Sequence, residues 1–436
     1  MRGDVGHDGR STDTDDRVNP AALHPVAPGE RIATLDALRG FALFGILLMN
    51  IEGFVGPTLV STTGLDPALT GADRTVDALI YFFVQGKFFT LFSLLFGMGF
   101  AVMSQRAEAA GRPFGGVYWR RGLVLLGFGL VHGVLVWSGD ILLIYALLSF
   151  FLLAFRPAPP SWLAWLGAAG CLAAPAMLLG LGVLAWLMSL SPDGAAGWDQ
   201  SMAEQGARMA AALDSARQAY GSGSYLEATA QRLRDLGMFL MSLPMLGPLL
   251  FGMFLLGAAL MGSGAMGAPE RFPRLFTAMR WVALPLGLMA MAASYALEPS
   301  VPTDRYDMPV AAAQALWMLA SVLMCLGYTG WLVRFFSQSA GARLAAWLAP
   351  AGRMALSNYL LQSLLCTGIF YGYGLGYFEQ LPRAWQPLLV LVMFVLQVLL
   401  SHAWLARFRF GPAEWLWRTL TYLKPQPMRR LAVAAG

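Results

Sequence analysis

The sequence predicts an all-α fold: a polytopic transmembrane bundle of about ten helices, with both termini on the cytoplasmic side. Three observations carry that prediction. Of 436 residues, 57% are hydrophobic and only 13% charged, whereas a soluble domain needs about a quarter charged to face water. The apolar residues fall in blocks of spanning length, spaced too closely for one aqueous core. The basic residues gather at the ends of those blocks, in every second connection.

The blocks lie near 38–58, 76–103, 119–137, 140–155, 162–190, 237–262, 279–297, 309–333, 354–377 and 385–406. The second is interrupted by Gln85-Gly86-Lys87 and reads as an interfacial helix followed by a shorter span. Alternate connections hold Arg106, Arg112, Arg120 and Arg121; Arg156; Arg271, Arg274 and Arg280; Arg334, Arg343 and Arg353; and a C-terminal group from Arg407 to Arg430. The opposite set is acidic or mixed: Asp66 and Asp73 with Arg74; the long 191–236 segment, whose six acids, Asp235 among them, stand against Arg208, Arg217, Arg232 and Arg234; Glu298, Asp304 and Asp307 with Arg305; and Glu379 with Arg383. The positive-inside rule places the basic set in the cytoplasm.

The expected organisation is a disordered cytoplasmic tail over 1–30, a bundle over 31–420 and a cytoplasmic tail over 421–436. The 191–236 insert would form extracytoplasmic, interfacial helices. Residues 1–30 are polar and lack the apolar core of a signal peptide. Cys171, Cys325 and Cys366 each sit in an apolar stretch, and their spacing indicates neither a metal site nor a disulfide framework. The net charge of +5 is spread over block ends, which excludes a nucleic-acid surface.

An ionisable group in hydrocarbon needs a partner or a wet cavity, so each one is a candidate site. One group lies toward the extracytoplasmic half: Asn50 and Glu52 on the first span, Gln85 and Lys87 on the second, and His132 followed by Asp140 at the third. His132 stands in GLVHG, where Gly129 and Gly133 let another backbone approach. Imidazole takes and returns protons near neutral pH. Asp140 either orients that ring or caps the next helix. For Glu52 and Lys87, snorkelling to the interface is an equal account. A second group lies at the cytoplasmic ends: Asp36 and Arg39 one turn apart, Arg353, and the i,i+4 pair Asn358 and Gln362. Arginines with amide donors at a helix mouth suit a phosphate-bearing ligand; the plainer alternative pairs Asp36 with Arg39 and anchors the rest at headgroups.

The stretches TLDALRGFALFGILLMN (34–50), QGKFFTLFSLLFGMG (85–99), GLVHGVLVWSGDILLIYAL (129–147), GRMALSNYLLQ (352–362) and GPAEWLWR (411–418) resemble the bacterial YeiB-like membrane proteins, over nearly the whole chain. Through its LDxxRG opening and helix plan that family resembles the transmembrane acyltransferases, including heparan-α-glucosaminide N-acetyltransferase. The resemblance implies acyl-CoA, such as acetyl-CoA, bound from the cytoplasm as co-substrate, and an acceptor at the opposite face. Asn50 matches an asparagine of the acetyltransferase; its catalytic histidine in the following loop has no counterpart here, since no histidine lies between Gly53 and Lys87.

The expectation is an acyltransferase of the bacterial inner membrane acting on an extracytoplasmic or lipid-linked acceptor. His132, Asn50, Asp140 and Glu52 would form its catalytic group, and Asp36, Arg39, Arg353, Asn358 and Gln362 its cofactor mouth, with no metal. Membrane lipid and a small-molecule or glycan acceptor are the expected partners, and a homodimer the candidate assembly. The competing expectation is a transporter or channel using the same polar interior without covalent chemistry.

Overall fold

The computed structural model describes residues 33–430; the tail assigned to 1–30 and the last six residues of the C-terminal one lie outside them. The described chain is helical, with no strand beyond two isolated bridges, Gly64 to Ser300 and Phe408 to Arg429. Among the described residues seven helical stretches are long and apolar enough to cross a membrane, and two shorter apolar helices accompany them. Each of the ten expected blocks falls on a helix.

In chain order these are α1 (Ala33–Val55), α2 (Gly71–Phe83), α3 (Lys87–Ala109), α4 (Gly115–Leu135), α5 (Leu142–Leu152), α6 (Pro160–Met188), α7 (Pro192–Gly221), α8 (Tyr225–Met241) and α9 (Leu243–Gly262). There follow α10 (Pro273–Ala278), α11 (Leu284–Leu297), α12 (Met308–Phe336), α13 (Ser339–Arg353), α14 (Ala355–Phe370), α15 (Gln386–Arg407) and α16 (Pro412–Tyr422). Local chemistry sets several boundaries. Ser191 accepts from the Gly194 amide with Pro192 behind it, starting α7. Ser224 and Glu227 form a capping box that starts α8. Asp307 accepts from the Val310 amide at the head of α12. Between α10 and α11, Met279–Ala283 is a π-helical turn. Pro285 would drive its ring into the carbonyl four residues back, and the widened turn relieves that clash.

The second block departs from expectation. At the interruption Gly86 has φ +86, and a Cβ there would collide with Ser321 and Trp317, so only glycine makes this turn. The helix that follows is not short: α3 has 23 residues, about 35 Å at 1.5 Å per residue. The 191–236 insert is two helices, α7 and α8, and α8 continues to Met241, into what the hydropathy assigned to the next span.

Contacts between connecting segments sort into two ends. At one, the Tyr220 carbonyl accepts from the Gly372 amide, Arg217 pairs with Glu379, and the Glu379 amide donates to Val55. There too the 63–65 backbone pairs with Pro299 and Val301. At the other, Arg120 donates to the Thr421 carbonyl, Trp417 to that of Arg121, and Arg156 to Ser104. These are the acidic and basic sets read from the sequence, so the long apolar helices run between an acidic end and a basic end, with α7 and α8 at the first and α13 at the second.

Helices in lipid gain little from apolar burial against one another and associate by close packing, favoured by small residues. Gly40 on α1 lies against the Leu348 carbonyl of α13, and Gly352 on α13 against the Asp36 carbonyl of α1. Gly97 on α3 and Gly257 on α9 meet the Phe254 and Leu94 carbonyls in the same reciprocal way. The glycines in LDALRG and AGRMA are thus accounted for by the α1–α13 crossing.

Candidate functional site

His132 sits on the last full turn of α4, and residues 136–141 turn the chain back into α5. That turn is tight enough to bring Asp140 against the imidazole: His132 Nδ1 and Asp140 Oδ1 are 2.9 Å apart, with both side chains at 1% exposure or less. The other carboxylate oxygen accepts from the Leu143 amide at 2.7 Å. Asp140 therefore orients the ring and caps the next helix, roles the sequence posed as alternatives. Gly129 makes the approach possible, because a Cβ there would strike the Leu143 backbone at 2.5 Å.

With Nδ1 committed to the carboxylate, Nε2 is the free face of the ring, and it is buried without a hydrogen-bond partner. A buried nitrogen left unsatisfied is uncommon and is a reason to look for function. The Tyr359 ring of α14 lies 5.1 Å from the imidazole, and its hydroxyl is buried beside Asp140 and Ile141. Trp137 closes another side, 6.5 Å from the imidazole, donating to the Gly53 carbonyl of α1 and packing on Phe54. So α1, α4 and α14 converge at this ring.

At the basic end Asp36 and Arg39 form an ion pair at 2.9 Å. Arg353 is the last residue of α13, beside the α1–α13 crossing that holds Asp36. Asn358 and Gln362 turn toward α15: Asn358 donates to Ala351 and Ser401, Gln362 to Gln397, and Gln397 back to the Asn358 carbonyl. This amide ladder joins α14 to α15. Tyr359, the neighbour of Asn358, reaches His132 on the other side of α14. The two groups placed at opposite halves from sequence thus meet at one short helix.

Glu52 belongs to a different constellation. Arg383 donates to Glu52 at 3.1 Å, to Asp77 at 2.8 Å and to Gln386 at 2.7 Å, and is 5% exposed. Asn50 is half-buried on α1, two residues before Glu52. Lys87 does not snorkel: it is fully buried, with Nζ 3.1 Å from the Tyr81 carbonyl and beside Met291. Sequence reasoning missed Tyr359, which reads as one more aromatic in LSNYLLQ, and Asp77, which sits beside an apolar run. It also counted Arg232, Arg383 and Asp235 only as loop charges. Arg232 and Arg383 carried one legible signal, an arginine in a connection of the acidic set.

Residues 260–424 match a family described as a protein of unknown function (DUF418). Over 426 residues the chain is 35% identical to the uncharacterized protein YxaH of Bacillus subtilis (strain 168), covering 94% of this chain and 99% of that one. It is 34% identical over 406 residues to the uncharacterized protein YeiB of Escherichia coli (strain K12), covering 90% and 96%. An uncharacterized 39.9 kDa protein of Bacillus acidopullulyticus is 27% identical over 415 residues, covering 93% and 98%. No solved structure matches. The chain is a membrane protein belonging to the DUF418 family, alongside YeiB and YxaH.

Proposed function

We propose that this protein is an acyl-CoA-dependent acyltransferase of the bacterial inner membrane, with the basic end in the cytoplasm. The observation that carries the reading is the buried His132–Asp140 pair, whose Nε2 is unpartnered and whose ring lies against Tyr359 of the helix that also carries Asn358. A neutral imidazole held through Nδ1 by a carboxylate offers Nε2 as a general base. Nε2 takes the proton of an acceptor hydroxyl or amine as that group attacks the thioester carbonyl. The carbon–sulfur bond breaks, and the proton passes to the departing CoA thiolate. Asn50 would donate to the developing oxyanion, while Arg39 and Arg353 would meet the CoA phosphates. Glu52 takes no step; its carboxylate is held by Arg383.

Purified protein in nanodiscs, given acetyl-CoA and a membrane-lipid extract as acceptor source, should release free CoA thiol. Replacing His132 with Ala should lower the rate by about 10²–10⁴-fold, the usual contribution of a general base. Full thiol release by H132A would end the assignment. Enclosure of His132 together with buried Lys87 and the Glu52–Arg383–Asp77 group favours a second reading, a transporter relaying protons through its interior. Movement of an intact solute without thiol release would select it.

A further inference from the structure

Outside the His132–Asp140 pair, the interior charge with the most unusual surroundings is Arg232 on α8. It is fully buried, and no carboxylate among the described residues pairs with it. Its Nη1 donates to the Val134 carbonyl at 3.3 Å, the Leu135 carbonyl at 3.1 Å and Thr229 at 3.0 Å; Nη2 donates to the Tyr373 hydroxyl at 3.0 Å. The rings of Tyr225, Tyr371 and Tyr373 surround the guanidinium at 5.1–6.0 Å. The charge is thus held by π-faces and by the carbonyl end of α4, where a helix carries partial negative charge.

Those carbonyls belong to the residues between His132 and the turn that brings Asp140 back. Three further contacts from α8 fall on the same stretch. Tyr225 donates to the Leu135 carbonyl at 2.7 Å, Leu236 packs on Gly133, and Asp235 accepts from Ser138 in the turn. Asp235 is itself fixed by Tyr220 and Gln231. One helix of the extramembrane insert therefore grips both sides of the loop across which His132 and Asp140 meet.

We infer that Arg232 is a positioning residue for the His132–Asp140 pair, so that the α7–α8 insert assembles the reactive centre from outside the bundle. This rests on the acyltransferase reading for its rate readout, but not for its geometry. His132 is faced by Asp140 across the turn and by Tyr359 from α14; Arg232 and Asp235 act on it from α8 through the 134–138 backbone. Arg232 holds the α4 terminus in register through the Val134 and Leu135 carbonyls.

The test uses the full-length protein in nanodiscs with two readouts: CoA thiol release from acetyl-CoA, and carbethoxylation of His132 by diethyl pyrocarbonate, mapped by mass spectrometry. In R232Q, kcat should fall about 100-fold, the scale of a 1 Å misplacement, with KM for acetyl-CoA little changed. His132 should be modified faster than in wild type. R232K, which keeps the charge but not the fork, should recover part of kcat. Should R232Q fail to fold, R232K and Y225F carry the same comparison, each expected to speed His132 modification. Unchanged His132 reactivity in the folded variants, or no recovery of kcat in R232K, overturns the inference. If wild type releases no thiol the acyltransferase reading fails, and His132 modification alone then decides the role of Arg232.

Discussion

Arg383 is the residue on which one corner of the bundle depends. It satisfies two carboxylates, Glu52 and Asp77, from a position 5% exposed. Removing one member of such a group strands the others in low dielectric, which costs about 3–5 kcal/mol. R383Q should therefore lower the thermal unfolding midpoint clearly, and E52Q in the same background should restore part of it. Equal midpoints for wild type and R383Q would show the group to be dispensable. At this scale legibility followed chain separation. His132 and Asp140 are eight residues apart, so their relation could be read from one turn. Arg383 and Asp77 are 306 apart, and nothing local announces that pair. Glu52 and Lys87 looked like residues reaching for headgroups because a sequence does not show which side of a helix another helix will cover.

Between elements, two devices hold the basic end, and each gives a prediction. The first is the α1–α13 crossing. A methyl group on Gly352 would meet the Asp36 carbonyl and the Gly40 amide. Backbone cannot yield as a side-chain tip can, so G352A should destabilise by about 1–3 kcal/mol, read as a lower midpoint in a denaturant or thermal series. A variant as stable as wild type would mean that α13 shifts freely. The second is Glu414 of α16. Its carboxylate accepts from the Leu356 and Ser357 amides at 2.7 and 3.1 Å and from the Ser357 hydroxyl, capping α14 from another helix. Burial pushes this carboxyl above its usual range, with the hydrogen bonds from Ser357 and Leu356 opposing. The folded protein then keeps a proton that the unfolded chain releases. The stabilisation from that proton is complete below the unfolded pKa and is lost as pH rises through the folded one. Burial raises Asp235 with the same sign. Midpoints measured from mildly acid to neutral pH should fall for wild type and fall less steeply for E414Q; parallel curves would dismiss the Glu414 contribution. The sequence-level reading took Gly40 and Gly352 only as family motif. The motif's physical content, a backbone crossing at closest approach, needed the partner helix to be seen.

For the whole molecule, the loop charges and the loop contacts agree. Connections grouped by charge are the same ones that touch one another. With the basic end in the cytoplasm, a cysteine introduced at Ser222 should react with a membrane-impermeant maleimide on intact spheroplasts. One at Lys424 should react only after lysis. The three native cysteines are buried and leave a clean background. The reverse pattern would invert the bundle and place the arginine-rich mouth outside.

Reading the chain alone was enough for the helical membrane architecture and the grouping of connections by charge. These follow from length and hydropathy, which act segment by segment and carry over to any neighbours. Which polar groups face one another came from the packing of the helices alone. Packing placed the His132 ring against Tyr359, turned Asn358 and Gln362 into a ladder with α15, joined Glu52 to Arg383, and brought the insert's Arg232 onto the carbonyls beyond His132. Such choices depend on helix rotation and on contacts hundreds of residues apart, which no local period in the chain encodes.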